Sequence, residues 1–346
     1  MKTFLRWTLC IVGVLLVVVL CAAGYLLLIQ GRAPATRADL VRVPVQVQPP
    51  AKGYPTTNAL YLAFALNQIS MAKIQEDHPA PEGVTVEKNI AYANLSPRNL
   101  LDVYRPKPSA KAPPILLFIH GGGWSGGDKH DYEIYCNRFA EWGYVVASMM
   151  YRLAPENKYP ACIQDTNAAI RFLRANAARF GGDPDRIAVI GGSAGGYLSM
   201  MAGYASEVAE FQGDGGNTGV SSRVQAVVDL YGPTDLTVPE AQNNQTCIRF
   251  FGKPYAEMPE AYKQGSPLTH LDKTDPPTLI IQGTLDDIVK PSQSDALAEK
   301  LKSLGMDYWY DSIDGWPHTL DIVYANFDHT SALIREFLRA KGLGTE

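Results

Sequence analysis

The sequence predicts an α/β fold in which a mostly parallel central sheet is covered by helices on both faces. From about residue 84 onward, apolar segments of strand length alternate with segments of helical periodicity, as they do in successive βαβ units. Several strand segments are continuous apolar runs, which is typical of strands buried on both faces of a sheet. No repeat or low-complexity tract interrupts the alternation, so we expect one α/β domain over residues 84–346.

Eight strands and three longer helices make up the predicted domain. The strands are expected at residues 84–91, 99–104, 115–119, 144–150, 187–190, 224–230, 278–282 and 308–313. The first helix carries apolar residues on one face, namely Ile163, Ile170, Leu173, Ala177 and Phe180. Gly181 and Gly182 follow it and favour its termination. Two more helices are expected at about 291–304 and 320–341.

The first 30 residues are predicted to be a signal anchor or a signal peptide. Residues 9–29 contain no charged side chain and follow Lys2 and Arg6. As a helix rising about 1.5 Å per residue they would span about 30 Å, the thickness of a bilayer's hydrocarbon core. The alternatives are a cleaved signal, because residues 21–23 (Cys-Ala-Ala) resemble a cleavage site, and a structural hydrophobic helix. The long apolar run favours an uncleaved anchor, with the following domain outside the cytoplasm, in the periplasm or the extracellular space.

Residues 31–83 are predicted to be a linker followed by a helical extension. Prolines at positions 34, 44, 49, 50 and 55 interrupt regular structure up to about residue 56. Between residues 58 and 75, a helical spacing is kept by Leu60, Ala63, Phe64, Asn67 and Met71 or Ile74. Packing on the α/β domain is the expected role of this helix, with a lid or a membrane-surface helix as alternatives.

The composition argues against several classes of function. With a net charge of −4 and a pI near 5.9, the chain lacks the basic field that nucleic acid or anionic lipid would require. No zinc-type ligand spacing and no dinucleotide fingerprint is present, so we predict neither a metal nor an organic cofactor. Cys136, Cys162 and Cys247 lie outside the apolar N-terminal segment, and their spacing identifies no disulfide pair.

The sharpest chemical signal is a G-x-S-x-G motif formed by Gly191, Ser193 and Gly195. It follows the predicted strand 187–190 and precedes a helical segment, which is the context that the motif requires. The serine of such a motif lies on a strained turn that presents its hydroxyl at the sheet edge. The N-terminus of the following helix favours developing negative charge. Ser193 is therefore predicted to be a catalytic nucleophile.

A second glycine-rich segment, His120-Gly-Gly-Gly-Trp124, follows the predicted strand 115–119. Its backbone N–H groups, together with the N–H of Ala194, can converge on a substrate oxygen as an acyl-transfer intermediate requires. A phosphate loop is disfavoured because the Gly-Lys-Ser/Thr ending is missing. His120 precedes the nucleophile and is expected to brace the loop.

The general base should follow the nucleophile in the chain. Of the six histidines, His270, His318 and His329 do so. His318 lies in a turn-rich loop between the last strand and the last helix, and such a loop can hold an imidazole over a nucleophile. It is the predicted base, whereas His270 and His329 are expected to be structural.

The acid should come from the loop after the penultimate strand, 278–282. Asp286 is the predicted acid, because a carboxylate there can fix the imidazole tautomer, and Asp287 is the alternative. Three further aspartates are close to His318 in sequence but belong to the wrong strand or loop for the usual geometry, namely Asp311, Asp314 and Asp321.

With these motifs in place, the chain resembles the bacterial esterase/lipase branch of the α/β hydrolases. It is similar above all to the bifunctional feruloyl and acetylxylan esterases, and more loosely to hormone-sensitive-lipase-type esterases. The matching stretches are 101–106 (LDVYRP), 120–124, 151–155 (YRLAP), 191–196, 231–235 (YGPTD), 266–267, 276–286 and His318. The resemblance implies the α/β-hydrolase fold. It also implies Ser193 as nucleophile, Asp286 as acid and His318 as base, with Gly122, Gly123 and Ala194 as oxyanion donors.

Two departures from the family pattern concern the substrate pocket. Thr319 stands beside the histidine where glycine is usual, with Trp316 and Pro317 before it, and Lys290 replaces a common proline. Trp316 is expected to narrow the acyl or alcohol pocket.

The expected activity is hydrolysis of carboxylic esters through an acyl-enzyme intermediate. Small-molecule esters are the expected substrates, and the resemblance adds acetyl or feruloyl esters on polysaccharide. A lipase or a formamidase could use the same triad. From another functional class, the alternative is a catalytically inactive, membrane-tethered binding protein, which is disfavoured because no triad position is lost.

Overall fold

The computed structural model describes Val19, residues 21–25, residues 27–28, residues 37–70 and residues 78–345. Its eight strands form one sheet. They are β1 (Thr85–Ala91), β2 (Leu100–Arg105), β3 (Ile115–Ile119), β4 (Val145–Met149), β5 (Ile187–Gly192), β6 (Ala226–Leu230), β7 (Thr278–Gly283) and β8 (Tyr308–Ile313). Every predicted strand is therefore confirmed, with boundaries shifted by no more than two residues.

The strand order across the sheet is β1-β2-β4-β3-β5-β6-β7-β8. The pairs β1–β2 and β2–β4 are antiparallel, and every other pair is parallel. Alternate residues of the central strands point to opposite faces, so Leu117 belongs to one buried apolar cluster and Leu116 to the other. The two clusters are the layers between the sheet and its helices, as predicted for an α/β fold.

The helices are numbered here in chain order over the described residues from 37 onward. They are α1 (Thr57–Ala65), α2 (Glu133–Glu141), α3 (Ala161–Ala175), α4 (Ala177–Phe180), α5 (Ala194–Tyr204), α6 (Ala209–Gln212), α7 (Pro239–Gln242), α8 (Gln245–Phe251), α9 (Pro259–Gln264), α10 (Pro267–His270), α11 (Pro291–Ser303) and α12 (Tyr324–Ala340). Short 3₁₀ turns occupy Lys129–Tyr132, Tyr255–Glu257 and Leu320–Ile322.

Two predicted helices differ in detail from the structure. The helix that contains Ile163 is divided at Asn176 into α3 and α4, and Gly181 ends α4 in the left-handed conformation, as glycine does at a helix C-terminus. The last helix begins at Tyr324, after a 3₁₀ turn over the region predicted to start it. The helices α7 to α10 between β6 and β7 were not predicted, because segments of four to seven residues are too short to show a period.

The helical extension is shorter than its sequence spacing suggests. Leu60 and Ala63 are buried against the domain, which confirms packing as one role of α1. The helix ends before Asn67, which has a φ of +55°, a left-handed conformation that asparagine tolerates better than most residues. Residues 71–77, including Met71 and Ile74, lie outside the described residues.

Residues 37–56 have irregular backbone, as their prolines predict, but they are hydrogen-bonded to the α/β domain. Arg42 and Tyr310 form an antiparallel bridge at the edge strand β8. The Trp316 indole N–H donates to the Ala51 carbonyl over 2.8 Å. The segment therefore follows the surface of the domain and does not form a free tether.

The described part of the N-terminus includes helical backbone at Val19, residues 21–25 and residues 27–28. Within the described residues, no helix combines the length and apolarity that a membrane crossing requires. Most of the predicted apolar segment 9–29 lies outside those residues. Four described cysteines, Cys21, Cys136, Cys162 and Cys247, are unpaired.

Candidate active site

The predicted chemical residues come together at one edge of the sheet. The carboxyl ends of parallel strands meet at the same edge, where α/β proteins place their sites. Ser193 follows β5, the glycine-rich loop follows β3, Asp286 follows β7 and His318 follows β8. Ser193, His318 and the glycine-rich loop line one cavity with a volume of about 870 Å³.

Ser193 lies in a strained turn between β5 and α5. Its φ of 57° and ψ of −121° are far from the regions that ordinary residues occupy. The glycines on either side allow the close packing that holds this turn. A Cβ at Gly195 would lie 1.9 Å from the Ile119 carbonyl oxygen, and one at Gly191 would lie 2.4 Å from the carbonyl of Gly195.

The glycine-rich loop lies directly against Ser193. A Cβ at Gly121 would be 3.3 Å from the Ser193 Cβ. Gly122 and Gly123 have φ values of +99° and +57°, a conformation that costs little only for glycine. Both line the cavity beside Ala194, the first residue of α5. Their backbone N–H groups are therefore near the place where a substrate oxygen would enter.

His318 and Asp286 form a buried hydrogen-bonded pair. The His318 Nδ1 and Asp286 Oδ2 are 2.7 Å apart, and both side chains are almost fully shielded from solvent. An ionised carboxylate can only accept, so Nδ1 carries the proton and Nε2 is left as the basic nitrogen. Asp287, the alternative acid, instead accepts a 2.7 Å hydrogen bond from the Tyr61 hydroxyl of α1.

Gln282, at the end of β7, contacts Asp286 and was not identified from the sequence. Its side-chain Nε2 donates to Asp286 Oδ2 over 3.0 Å, and its Oε1 accepts from the Ser294 hydroxyl. The backbone N–H groups of Ile288 and Val289 donate to the other carboxylate oxygen, each over 2.9 Å. These donors stabilise the ionised carboxylate and fix its orientation.

A buried cluster behind the serine and the histidine was also missed. The Tyr231 ring lies edge-on to the His318 imidazole, with centroids 4.6 Å apart. Its hydroxyl donates to Asp321 Oδ1, although Asp321 was set aside on sequence grounds. A Cβ at Gly192 would lie 2.3 Å from the Tyr132 hydroxyl and 2.7 Å from the Tyr231 hydroxyl. The two phenols therefore meet the backbone one residue before Ser193.

Burial dominates the electrostatics of this cluster. It raises the pKa of the Asp321 carboxyl above the ordinary aspartate range. It also raises the pKa values of Tyr132 and Tyr231 far above that of a free phenol, because water no longer solvates the charged forms. Both phenols therefore stay protonated at neutral pH, and they can act as donors.

Three further histidines, His120, His270 and His329, have contacts typical of structural residues. His120 stacks on Tyr151, its Nδ1 lies 2.8 Å from the Gly121 carbonyl, and burial lowers its pKa to about 4. His270 contacts the Gln264 carbonyl. His329 contacts the Asp311 carboxylate through Nε2. Loop bracing by His120 and structural roles for the other two agree with the sequence analysis.

The cavity has an apolar side and a polar side. Apolar lining comes from Leu236, Val238, Ala241 and Cys247 in and before α7 and α8, and polar lining comes from Asp287, Lys290 and Gln293. The expectation that Trp316 narrows the pocket is wrong. Trp316 is not among the lining residues, because its ring is turned toward residues 37–56, where it packs edge-on to Tyr54.

Several sequence signals could have indicated the missed residues. Gln282 and Tyr231 belong to the stretches that carry the family resemblance, 276–286 and 231–235. Gln282 lies at the carboxyl end of β7, and Tyr231 directly follows β6. Polar residues at the carboxyl ends of parallel strands are candidates for a site on that basis alone. Gly192 occupies the first variable position of the G-x-S-x-G motif. A glycine at a position that does not require one suggests that another group packs closely against its backbone.

The chain is similar in sequence to a known family and to named esterases. The profile of the BD-FAE family matches residues 101–301. Esterase LipC of Mycobacterium tuberculosis (strain ATCC 25618 / H37Rv) is 32% identical over 236 residues, which are 66% of this chain and 58% of LipC. The chain spans between 53% and 60% of the length of LipC and the next curated relatives.

Two solved esterase structures superpose on this chain. A truncated carbohydrate esterase from gut microbiota superposes with a TM-score of 0.68 at 28% identity, covering 77% of this chain and 99% of that one. Apo esterase 2 of Thermogutta terrifontis superposes with a TM-score of 0.65 at 26% identity, covering 78% and 98%. The fold is that of the α/β hydrolases. Since the family profile covers more than half of the 346 residues, the chain belongs to the BD-FAE family.

Proposed function

We propose that the protein is a serine carboxylesterase that uses Ser193, His318 and Asp286 as a catalytic triad. The observation that carries the proposal is the 2.7 Å contact between His318 Nδ1 and Asp286 Oδ2, in a cavity that is also lined by the strained Ser193. A nucleophile in this turn, a base in a neighbouring loop and an acid that orients the base are the arrangement of serine hydrolases.

The proposed reaction has two steps. His318 Nε2 takes the Ser193 proton while Oγ forms a bond to the ester carbonyl carbon, and the oxyanion is held by the N–H groups of Gly122, Gly123 and Ala194. The ester C–O bond then breaks, and His318 returns the proton to the leaving alcohol. In the second step water attacks the acyl-enzyme, and the acid and free Ser193 are released.

The known relatives support an ester as the substrate. LipC is named an esterase, and NlhH of M. tuberculosis, 44% identical over 131 residues, is named a carboxylesterase. The solved neighbour from gut microbiota is named a carbohydrate esterase. The apolar and polar sides of the cavity suit a short or medium acyl group and a polar alcohol, respectively. We propose small-molecule esters, including carbohydrate esters, as the substrates.

We also propose that the chain is membrane-anchored, with its catalytic domain outside the cytoplasm. The support is the uncharged run of residues 9–29 behind Lys2 and Arg6, which has the length of a membrane span and the flanking charge of an export signal.

The first test is ester turnover by the full-length chain in detergent, with Ser193→Ala in parallel. The substrates are p-nitrophenyl acetate, butyrate and octanoate, and methyl ferulate. We expect the parent protein to hydrolyse at least one ester and Ser193→Ala to lose nearly all of that rate, by a factor of about 10⁴ or more. The chain-length profile then distinguishes an esterase from a lipase.

A fluorophosphonate probe provides a second readout that does not depend on substrate choice. We expect labelling of the parent at Ser193 and none of Ser193→Ala. A folded parent protein that neither reacts with the probe nor turns over any ester contradicts the proposal. The inactive binding protein would then be the better hypothesis.

A further inference from the structure

An exposed apolar face adjoins the rim of the active-site cavity. It consists of Tyr61 and Leu62 on α1 and Leu66 directly after the end of the helix, and is called the α1 face below. These side chains are 52%, 44% and 59% exposed. At 100° per residue they occupy one arc of the helix, opposite the buried Leu60 and Ala63. Apart from Asn58 at its N-terminal end, the α1 helix thus carries apolar side chains on the side turned away from the protein as well as on the side packed against it.

The sequence around the α1 face carries no charge at all. Residues 53–72 contain no Asp, Glu, Lys or Arg. An exposed helix of a soluble domain normally presents charged and polar residues to water. A helix that is apolar all round normally has a partner on each side, and contiguous exposed apolar surface marks an interaction site.

The α1 face is connected to the cavity rim. The Tyr61 hydroxyl donates to Asp287, which lines the cavity. The hydrogen bond to Asp287 also raises the pKa of Tyr61, so the phenol remains a donor. Ile288, the next residue, lines the cavity and is 66% exposed. The α1 face and Ile288 therefore lie on either side of Asp287, at the entrance of the cavity that holds Ser193.

The α1 helix is also joined to the apolar N-terminal segment. Thr56 caps α1 by accepting from the Ala59 N–H, and its own hydroxyl donates to the carbonyl of Leu27. Leu27 belongs to the uncharged run 9–29. If that run is anchored in a bilayer, its C-terminal end lies near the lipid–water boundary, and α1 starts at the same place.

We propose that the α1 face docks on the lipid surface in which the chain is anchored, so that the active-site cavity opens at the membrane. The partner is an apolar lipid interface and not an anionic headgroup, because the face offers no cation. Docking of this kind buries apolar side chains at the boundary between headgroups and acyl chains. The inference rests on the proposed anchorage, but not on the esterase activity.

The experiment uses the full-length chain reconstituted into vesicles of dioleoylphosphatidylcholine. A photoreactive benzoylphenylalanine replaces Leu62 or Leu66, one at a time, and the vesicles are floated on a gradient before and after irradiation. The matched control is Glu207, whose side chain is 72% exposed. Glu207 lies shortly after the C-terminal end of α5, a helix of 11 residues that starts beside Ser193. A helix of this length is about 16 Å long, so Glu207 is distant from the cavity entrance.

We expect the chain to float with the vesicles and to form lipid adducts from positions 62 and 66, with adducts from position 207 at background. Flotation without lipid adducts at 62 and 66 overturns the docking while leaving the anchorage in place. A chain that does not float overturns both. Adducts to a second copy of the chain assign the α1 face to self-association and also overturn the proposal. Turnover of p-nitrophenyl acetate, measured on the same samples, tests the esterase function separately.

Discussion

Asp286 shows how strongly single side chains of the site depend on contacts from several elements. Its carboxylate accepts from His318, Gln282 and the backbone N–H groups of Ile288 and Val289. Hydrogen bonds to a charged group contribute about 1.5–3 kcal/mol each, so each donor helps to hold the carboxylate in its orientation toward the imidazole.

Replacing Gln282 by methionine should lower kcat/KM by about tenfold, because a lost hydrogen bond to a charge of about 1.5 kcal/mol corresponds to that factor. The loss should fall mainly on kcat, since Gln282 orients the acid and does not line the cavity. Steady-state kinetics with p-nitrophenyl acetate measure it. Ser294→Ala is the control, because it removes only the hydrogen bond to the side-chain Oε1 of Gln282. It should lower kcat/KM less than the methionine variant does. Equal losses in both variants would contradict this assignment.

Gly192 depends on a contact with two phenols. In Gly192→Ala the new Cβ would lie 2.3 Å from the Tyr132 hydroxyl and 2.7 Å from that of Tyr231. Overpacking of this kind costs about 1–3 kcal/mol, so the free energy of unfolding in urea should fall by that amount. The double variant Gly192→Ala/Tyr132→Phe removes the nearest atom and should recover part of the loss. If Tyr132→Phe brings no recovery, the hydroxyl contact is not the cause.

At the scale of elements, the packing of β6 on α5 involves a buried carboxyl. Asp229 of β6 accepts from the Gly232 N–H over 2.8 Å, and a Cβ at Gly196 would lie 2.3 Å from its Oδ1. Burial raises the pKa of Asp229 from 3.8 to about 8. The folded protein therefore keeps a proton on Asp229 at neutral pH that the unfolded chain releases.

This proton makes stability depend on pH. Between pH about 4 and 8 the folded state binds more protons at Asp229 than the unfolded state does, so this contribution to stability is lost as pH rises through that range. In Asp229→Asn, which keeps an oxygen for the Gly232 N–H, melting temperature should decline less between pH 5 and pH 8, about the range of the shift. Parallel thermal melts measure the difference, and identical slopes would show that Asp229 ionises normally.

At the scale of the whole molecule, residues 37–56 contact the edge of the sheet through one isolated bridge and attach the N-terminal extension to the domain. Arg42 and Tyr310 exchange two backbone hydrogen bonds of 2.9 Å at β8, which is an edge strand of the sheet. Pairing at this position covers backbone groups that an exposed edge would offer to other chains.

Arg42→Pro should lower the melting temperature by about 2–4 °C, because proline removes one donor worth about 1 kcal/mol in a domain of this size. Arg42→Ala keeps the N–H and serves as the control for loss of the side chain, which lies over the Tyr308 ring. Differential scanning calorimetry compares the three proteins. Because proline also removes the side chain, equal effects of alanine and proline would mean that the bridge contributes nothing measurable.

Local patterns determined most of the fold and the identity of the chemical groups. Continuous apolar runs such as residues 115–119 predict central strands because burial on both faces leaves no polar position. Ser193 could be recognised because its strained turn requires glycines at fixed positions in the sequence. The order of the proposed nucleophile, acid and base could be predicted from the chain alone, as could the position of the glycine-rich loop beside Ser193.

Tertiary structure decided what depends on contacts between distant segments. It paired His318 with Asp286 and turned Asp287 toward Tyr61 of α1, which is 226 positions away in sequence. It directed Trp316 toward Ala51 and away from the cavity, and it brought Asp321 beside Tyr231. No local sequence pattern predicts these side-chain contacts, because they depend on which distant residues become neighbours once the strands are aligned and the core is packed. Sequence periodicity describes how a segment faces the core, whereas partner identity appears only when the segments are assembled.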